Sequence, residues 1–394
     1  MTDDLHITIR VRPAEAESNT SEMCEHKGIG HPDSLCDGVV EAVSLALNRA
    51  YREVYGRIQH YNVDKALLIG GQSRPRFGGG QVDVPMRLII CGRATALPEL
   101  DLPVLVGAAA REYLYNNLRC DSSLIQIESA VRGGSPNLQQ VFVRGKAVAL
   151  ANDTSFGVGF APLSRLESTV LQLAEHLRST PFRTQFPAAG DDYKIMGHRI
   201  GQDLTLTLAI AMVDREVENV AHYFALKRAM VDTLVASLPA PCTLQLNMLD
   251  DPMATSVDGI YLTVTGLSAE QGDDGQVGRG NRMNGLITPC RSMSLEAVAG
   301  KNPVAHVGKL YNAAAAELAA VLASMEPTFN AVSVQILSTI GRPVDKPSLI
   351  AIEIAGPLQL HEKHRSQIKA EVRRQLQSIT TLSERLANGF IAAF

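Results

Sequence analysis

Polar and apolar residues alternate along 5–12 as in a strand, while Leu35, Val39, Val43, Leu47 and Tyr51 recur at helical spacing within 33–55. The same two periods predict strands over 65–70 and 82–93, a helix over 103–118 and a strand over 123–131. The order is strand, helix, strand, strand, helix, strand. It recurs as strand 141–150, helix 162–178, strands 192–200 and 203–213, helix 216–237 and strand 242–248. A less regular third copy runs through strand 260–265, helix 304–323, strands 331–338 and 348–354, and helical segments near 361–376 and 380–388. Each copy has the order of a split βαβ unit, so the pattern predicts an α+β fold. Three pseudo-repeated split βαβ-like domains are expected, with antiparallel-rich sheets packed by helices on one face. The turn-forming runs Gly133-Gly134-Ser135-Pro136-Asn137 and Asp250-Asp251-Pro252 suggest domains at 1–138, 139–252 and 253–394, with interleaving between repeats allowed.

Composition narrows the class. With 394 residues, 45% hydrophobic and 20% charged, the chain can bury a sizeable core without staples. Its six cysteines form no C-x-x-C pair and no regular ladder, which argues against a structural zinc site or a disulfide framework and for a reducing cytoplasm. A net charge of −4 gives no general attraction to nucleic acid or anionic lipid, so a polyanion has to be met by a local cluster of cations. No apolar run has the length of a membrane span, and the polar, acidic first residues show no apolar segment behind a basic one, so a soluble, unsecreted protein is expected.

Glycine loops supply such clusters. In Glu25-His26-Lys27-Gly28-Ile29-Gly30-His31-Pro32-Asp33-Ser34, two glycines precede a helix that starts at Pro32. The first amides of that helix attract anions, and His31 and Asp33 are placed to face a phosphate and its metal. The plainer alternative is a tight turn with Asp33 favouring the helix dipole. Between two strands, Gly70-Gly71-Gln72-Ser73-Arg74-Pro75-Arg76-Phe77-Gly78-Gly79-Gly80 is long enough to carry or gate function. The 272–282 segment mixes Asp273 and Asp274 with Arg279, Arg282 and four glycines, and Gly300-Lys301-Asn302-Pro303 again sets a cation before a helix. Together these loops indicate a polyphosphate site without a Walker lysine signature.

The blocks Gly28-Ile29-Gly30-His31-Pro32-Asp33-Ser34-Leu35-Cys36-Asp37-Gly38, the 70–80 loop, Val277-Gly278-Arg279-Gly280-Asn281-Arg282-Met283-Asn284-Gly285-Leu286-Ile287-Thr288-Pro289 and Ala299-Gly300-Lys301-Asn302-Pro303-Val304-Ala305-His306-Val307-Gly308-Lys309 resemble the archaeal-type S-adenosylmethionine synthetases. The resemblance spans nearly the whole chain. It implies three pseudo-repeated α+β domains, a homodimer with active sites at the subunit interface, the substrates ATP and L-methionine, and Mg²⁺, often with K⁺. The implied reaction is attack of the methionine sulfur on C5′ of ATP, followed by hydrolysis of the released triphosphate to pyrophosphate and phosphate. Such chemistry needs alignment and preorganised cations, not a protein nucleophile.

By the same resemblance, His31, Lys194, Arg279 and Lys301 are the catalytic candidates, and Asp33 is the metal ligand. Lys27, Gly30, Asp273, Arg282 and Lys309 are assigned to ATP and triphosphate, and Gly134, Ser135 and Asp153 to the methionine or nucleoside side. Gly71, Gln72 and Gly79 belong to a gating loop. Two departures stand out: Gly280 occupies the position where the better-known enzymes of the family carry a lysine, and no aspartate follows Lys301 to act as a second metal ligand. Rival readings are another ATP-dependent transferase, which lacks a visible hydroxyl-activating base and nucleotide loop here, and a non-catalytic nucleotide-sensing module, which would not need the full set of cations.

Overall fold

The structure is a computed structural model and describes residues 5–13, 20–134, 148–239, 241–325, 329–356 and 360–394. Its core divides into three apolar clusters, each between one sheet and its helices. In the first, helices α1 (Pro32–Tyr55) and α2 (Leu102–Asn117) cover strands β3 (Tyr61–Ile69), β6 (Met86–Ala94), β7 (Ile125–Gly133) and the short β13 (Gly275–Gln276). The α1 stripe of Leu35, Val39, Val43, Leu47 and Tyr51 is buried against Val63, Leu68, Leu88 and Ile90.

The second cluster joins β2 (Ser21–Lys27), β9 (Ala189–Ile200), β10 (Asp203–Val213) and β11 (Thr243–Leu246) to α3 (Arg165–Arg178), α4 (Thr180–Gln185) and α5 (Val220–Ser237), with β12 (Leu262–Thr263) alongside β10. The third joins β1 (Ile7–Pro13), β8 (Phe156–Ala161), β14 (Ala331–Leu337) and β15 (Leu349–Gly356) to α6 (Val307–Met325), α7 (Glu362–Gln377) and α8 (Ile379–Ala387). A separate hairpin pairs β4 (Gln72–Arg74) with β5 (Gln81–Val84). Along each large sheet the pairings run antiparallel, antiparallel, parallel: β13-β3-β6-β7, β2-β9-β10-β11 and β8-β14-β15-β1.

Helices and central strands fall close to where periodicity predicts them. The edge strands do not follow chain order. β1 pairs in parallel with β15, and β2 pairs with β9, so both N-terminal strands join sheets built from residues beyond 155. β2 goes unpredicted because its inward positions include Glu22, a buried carboxylate matched by Arg199 at 3.4 Å and by the Ser164 hydroxyl at 2.6 Å. β8 goes unpredicted because its inward residues are Gly157 and Gly159. A Cβ at Gly157 would lie 2.1 Å from the backbone of Tyr311, so the bare strand lets alanine-rich α6 approach closely. Residues 141–147 of the expected strand 141–150 lie outside the described residues.

Candidate functional site

β2 ends at Lys27 and the chain turns into α1 through Gly28 and Gly30, whose amides donate to Tyr193 O at 2.7 Å and Asp191 O at 2.9 Å. Neither glycine has a positive φ. Their reason is closeness to β9: a Cβ at Gly30 would sit 2.6 Å from the Asp191 backbone. His31 is the N-cap of α1, and its Nδ1 accepts the Asp33 amide at 3.2 Å. Its proton therefore resides on Nε2. Burial and the charges of Lys27 and Lys194 hold the imidazole down at about 4, against the opposing pull of Asp33.

Asp33 is the hub of this cluster. Its Oδ2 accepts from Lys27 Nζ at 2.8 Å, its Oδ1 accepts the Gln276 amide at 2.9 Å, and Arg279 Nε stands 3.8 Å from Oδ1. Lys27 Nζ also donates to Arg279 O at 2.8 Å, and Asn281 grips the Lys27 backbone through two bonds of 2.9 Å. Glu25 stands between Lys27 at 3.6 Å and Lys194 at 3.8 Å. Residues from 25 to 33, 194 and 276 to 281 are thus brought to one place. The side chains of Arg279 and Lys194 remain 69% and 46% exposed, so both cations are open to a ligand. A cavity of about 560 Å³ is lined by Lys27, Ser34, Arg178 and Asn281 among others, with neither Arg279 nor Lys194 in its wall. Arg282 instead turns back into its own loop, donating to Gly278 O and Gly280 O.

A second group lies deeper along α1. Lys309 Nζ donates to both Glu41 oxygens at 2.7 Å and to Lys301 O at 3.1 Å. Lys301 Nζ donates to Glu296 and stands 3.8 Å from Asp64 Oδ2. Both lysines are buried, and burial pulls Lys309 below its ordinary value against the pull of Glu41. His306 is buried in the same group and held at about 3 by burial and Lys301, so it is neutral.

The remaining candidates are spread around these groups. Asp273 accepts from the Ser268 hydroxyl at 3.2 Å; the same serine donates from its amide at 2.8 Å to buried Asp192, which burial raises to about 7. The 70–80 loop is rooted close by, with Gly70 donating to Asp274 and Gly71 to Ala269 O. Its β4–β5 hairpin, with Gln72 in β4, is tied across by Arg74 and Asp83. Its tip is held by Asp214, which takes the amides of Arg76 and Gly80, and Gly79 there has φ +123°. Asp153 accepts the Ser338 hydroxyl on its backbone oxygen at 2.8 Å, next to β8. Gly134 follows β7, and Ser135 lies outside the described residues. Asp37, Glu41, Asn281 and Glu296 are members that the sequence reading did not select; only the four-residue spacing of Asp33, Asp37 and Glu41 announced any of them.

A model of the S-adenosylmethionine synthetase (AdoMet synthetase) family matches residues 6–390. The chain belongs to that family. The S-adenosylmethionine synthase of Pyrobaculum neutrophilum is 42% identical over 392 residues, covering 95% of this chain and 96% of that protein. The one from Pyrococcus furiosus is 46% identical over 351 residues and 86% of each chain. A solved structure described as an unusual S-adenosylmethionine synthetase from Campylobacter jejuni superposes with a TM-score of 0.63 over 92% of this chain and 90% of that one. At 13% identity, this last likeness speaks to the fold.

Proposed function

We propose that this chain makes S-adenosylmethionine from ATP and L-methionine. The methionine sulfur donates a lone pair to C5′ of ATP, the C5′–O bond breaks with its electrons passing to the leaving triphosphate, and the sulfur becomes a sulfonium. Water then hydrolyses triphosphate to pyrophosphate and phosphate. The observation that carries this reading is the gathering of Lys27, Lys194 and Arg279 around His31 and Asp33 at the start of α1, in a chain matched by the family from residue 6 to 390. Polyphosphate leaving from carbon needs fixed positive charge where negative charge develops.

In this reading neutral His31 donates from Nε2 to the triphosphate, Arg279 and Lys194 flank the transferring carbon and phosphates, and Lys301 with Asp273 completes the surroundings. Lys27, Gly30, Arg282 and Lys309 shape the triphosphate side, and Gly134, Ser135 and Asp153 the methionine or nucleoside side. The 70–80 hairpin with Gly71, Gln72 and Gly79 is the gate. The family is generally metal-dependent. Among the described residues no three His, Cys, Asp or Glu side chains converge as a cage. Asp33 nonetheless fits Mg²⁺, which takes one or two carboxylates and fills its shell with phosphate oxygens and water. Bound there, the ion would neutralise charge on the leaving triphosphate; K⁺ is a second proposed cation.

The proposal extends to organisation and setting. Three pseudo-repeated units at 1–138, 139–252 and 253–394, exchanging β1, β2, β8, β12 and β13, fit the recurring pairing pattern. A homodimer with interfacial sites fits the open flank of the cation cluster and the exposed apolar residues Met23, Leu67, Phe156 and Leu337 on the strands. Six free thiols suit a cytoplasmic setting. Among the described residues no helix is long and apolar enough to cross a membrane. Incubation with ATP, Mg²⁺ and methionine, with mass detection, is expected to show the sulfonium product with pyrophosphate and phosphate. ATP breakdown that ignores methionine would overturn the reading.

A further inference from the structure

Asp33, Asp37 and Glu41 stand four residues apart on α1, so they fall along one side of the helix about 6 Å apart. Each accepts a backbone amide from a loop more than 200 residues away in sequence: Gln276 onto Asp33 Oδ1 at 2.9 Å, Gly278 onto Asp37 Oδ1 at 2.8 Å, and Gly300 onto Glu41 Oε2 at 3.0 Å. Ser44 extends the row by donating its hydroxyl to Lys301 O at 3.3 Å. One helix thereby holds both loops that carry the cations Arg279 and Lys301.

The turn at 278–280 is bracketed from two directions. Asp37 takes the Gly278 amide, while Arg282 donates to the carbonyls of Gly278 and Gly280. The backbone passes so close that a Cβ at position 280 would stand 2.4 Å from Asp37 Oδ2. That accounts for the glycine at position 280: here the chain lies directly on a carboxylate. With its backbone pinned from below, Arg279 is left to project its side chain outward.

We propose that Asp37 and Glu41 are positioning residues that fix the backbone of the two cation loops to α1, so that Arg279 and Lys301 are set for the triphosphate before it arrives. Side-chain oxygens fixed on a helix hold the loop amides in place, because a helix is a stiffer base than a loop. The loops are thereby coupled to each other and to His31 and Asp33 at the helix start. The inference rests on the assignment of Arg279 and Lys301 to triphosphate, and its test separates the two.

Full-length Asp37→Ala, Asp37→Asn, Glu41→Gln and Arg279→Ala proteins are compared by hydrogen–deuterium exchange and by hydrolysis of inorganic tripolyphosphate. For Asp37→Ala, exchange at the Gly278 amide and KM for tripolyphosphate are both expected to rise about tenfold or more. KM for methionine should stay within about twofold, as a local change on the phosphate side requires. In Asp37→Asn the amide oxygen still accepts the Gly278 N–H, so exchange and tripolyphosphate KM should return to within about threefold of the parent. Glu41→Gln should likewise keep Gly300 protected through its remaining acceptor. Unchanged exchange and KM in Asp37→Ala would overturn the proposal. If Asp37→Ala does not fold, the Asn variant decides: near-parental values support the clamp and a tenfold loss contradicts it. Arg279→Ala reads the phosphate assignment alone. If that variant leaves tripolyphosphate KM unchanged, the assignment falls, while the exchange data still judge the clamp.

Discussion

His31 is a neutral imidazole because burial and two neighbouring ammonium groups outweigh the one carboxylate beside it. Its folded-state value of about 4 lies below the ordinary 6.5, so the folded chain resists a proton that the unfolded chain accepts. This contribution to stability is complete above the ordinary value and is lost as pH falls through 6.5 toward 4. An NMR titration of the imidazoles should show His31 unprotonated at pH 6, whereas an inflection near 6.5 would contradict the assignment. Asp33→Asn keeps an acceptor for Gln276 but removes the charge that meets Lys27 and is proposed to meet the metal. Turnover should fall on the order of 100-fold and the Mg²⁺ requirement should shift upward, while Asp37→Asn should be mild. Equal, mild effects at both positions in a magnesium titration would return Asp33 to a helix-cap role. These two residues were legible in the sequence because histidine, proline and aspartate at a helix start imply a cap and an anion site. Asn281 was not, since its partner Lys27 is distant in sequence; Glu296 was not, since Ser155 is distant and Lys301, five residues on, is reached through an irregular loop with no regular period.

At the scale of elements, the long helices and inner strands were readable because each shows a buried face at a regular period. The edge strands were not. In β2 the buried row includes Glu22, and in β8 it is glycine, so the signal that usually marks a strand is replaced by an ion pair in one and by bare backbone in the other. In the 28–30 loop the glycines serve close packing on β9. Gly30→Ala should therefore displace the turn from Asp191, destabilise the protein by about 1–3 kcal/mol as overpacking does, and lower activity along with it. Thermal unfolding paired with the synthesis assay checks this; an unshifted melting temperature would mean that the loop yields freely. The 70–80 loop is anchored at both ends and at its tip, by the β4–β5 hairpin and by the Asp214 carboxylate.

At the scale of the molecule, three sheets with their helices form three apolar clusters, and the proposed catalytic groups are gathered by loops that cross between them. Because Arg279 and Lys194 open outward and several apolar strand residues are exposed, a second copy is the expected completion of the site. Light scattering with activity followed through dilution should show activity vanishing together with the dimer; a fully active monomer would remove the interfacial site and leave the chemistry intact. In the proposed reaction carbon, not phosphorus, is attacked, with triphosphate as a bound intermediate. Rapid quenching of a single turnover with γ-labelled ATP tests it most directly. Label is expected in triphosphate that forms only when methionine is present and then decays to phosphate. Label covalently attached to the protein, or released from ATP without methionine, would contradict it.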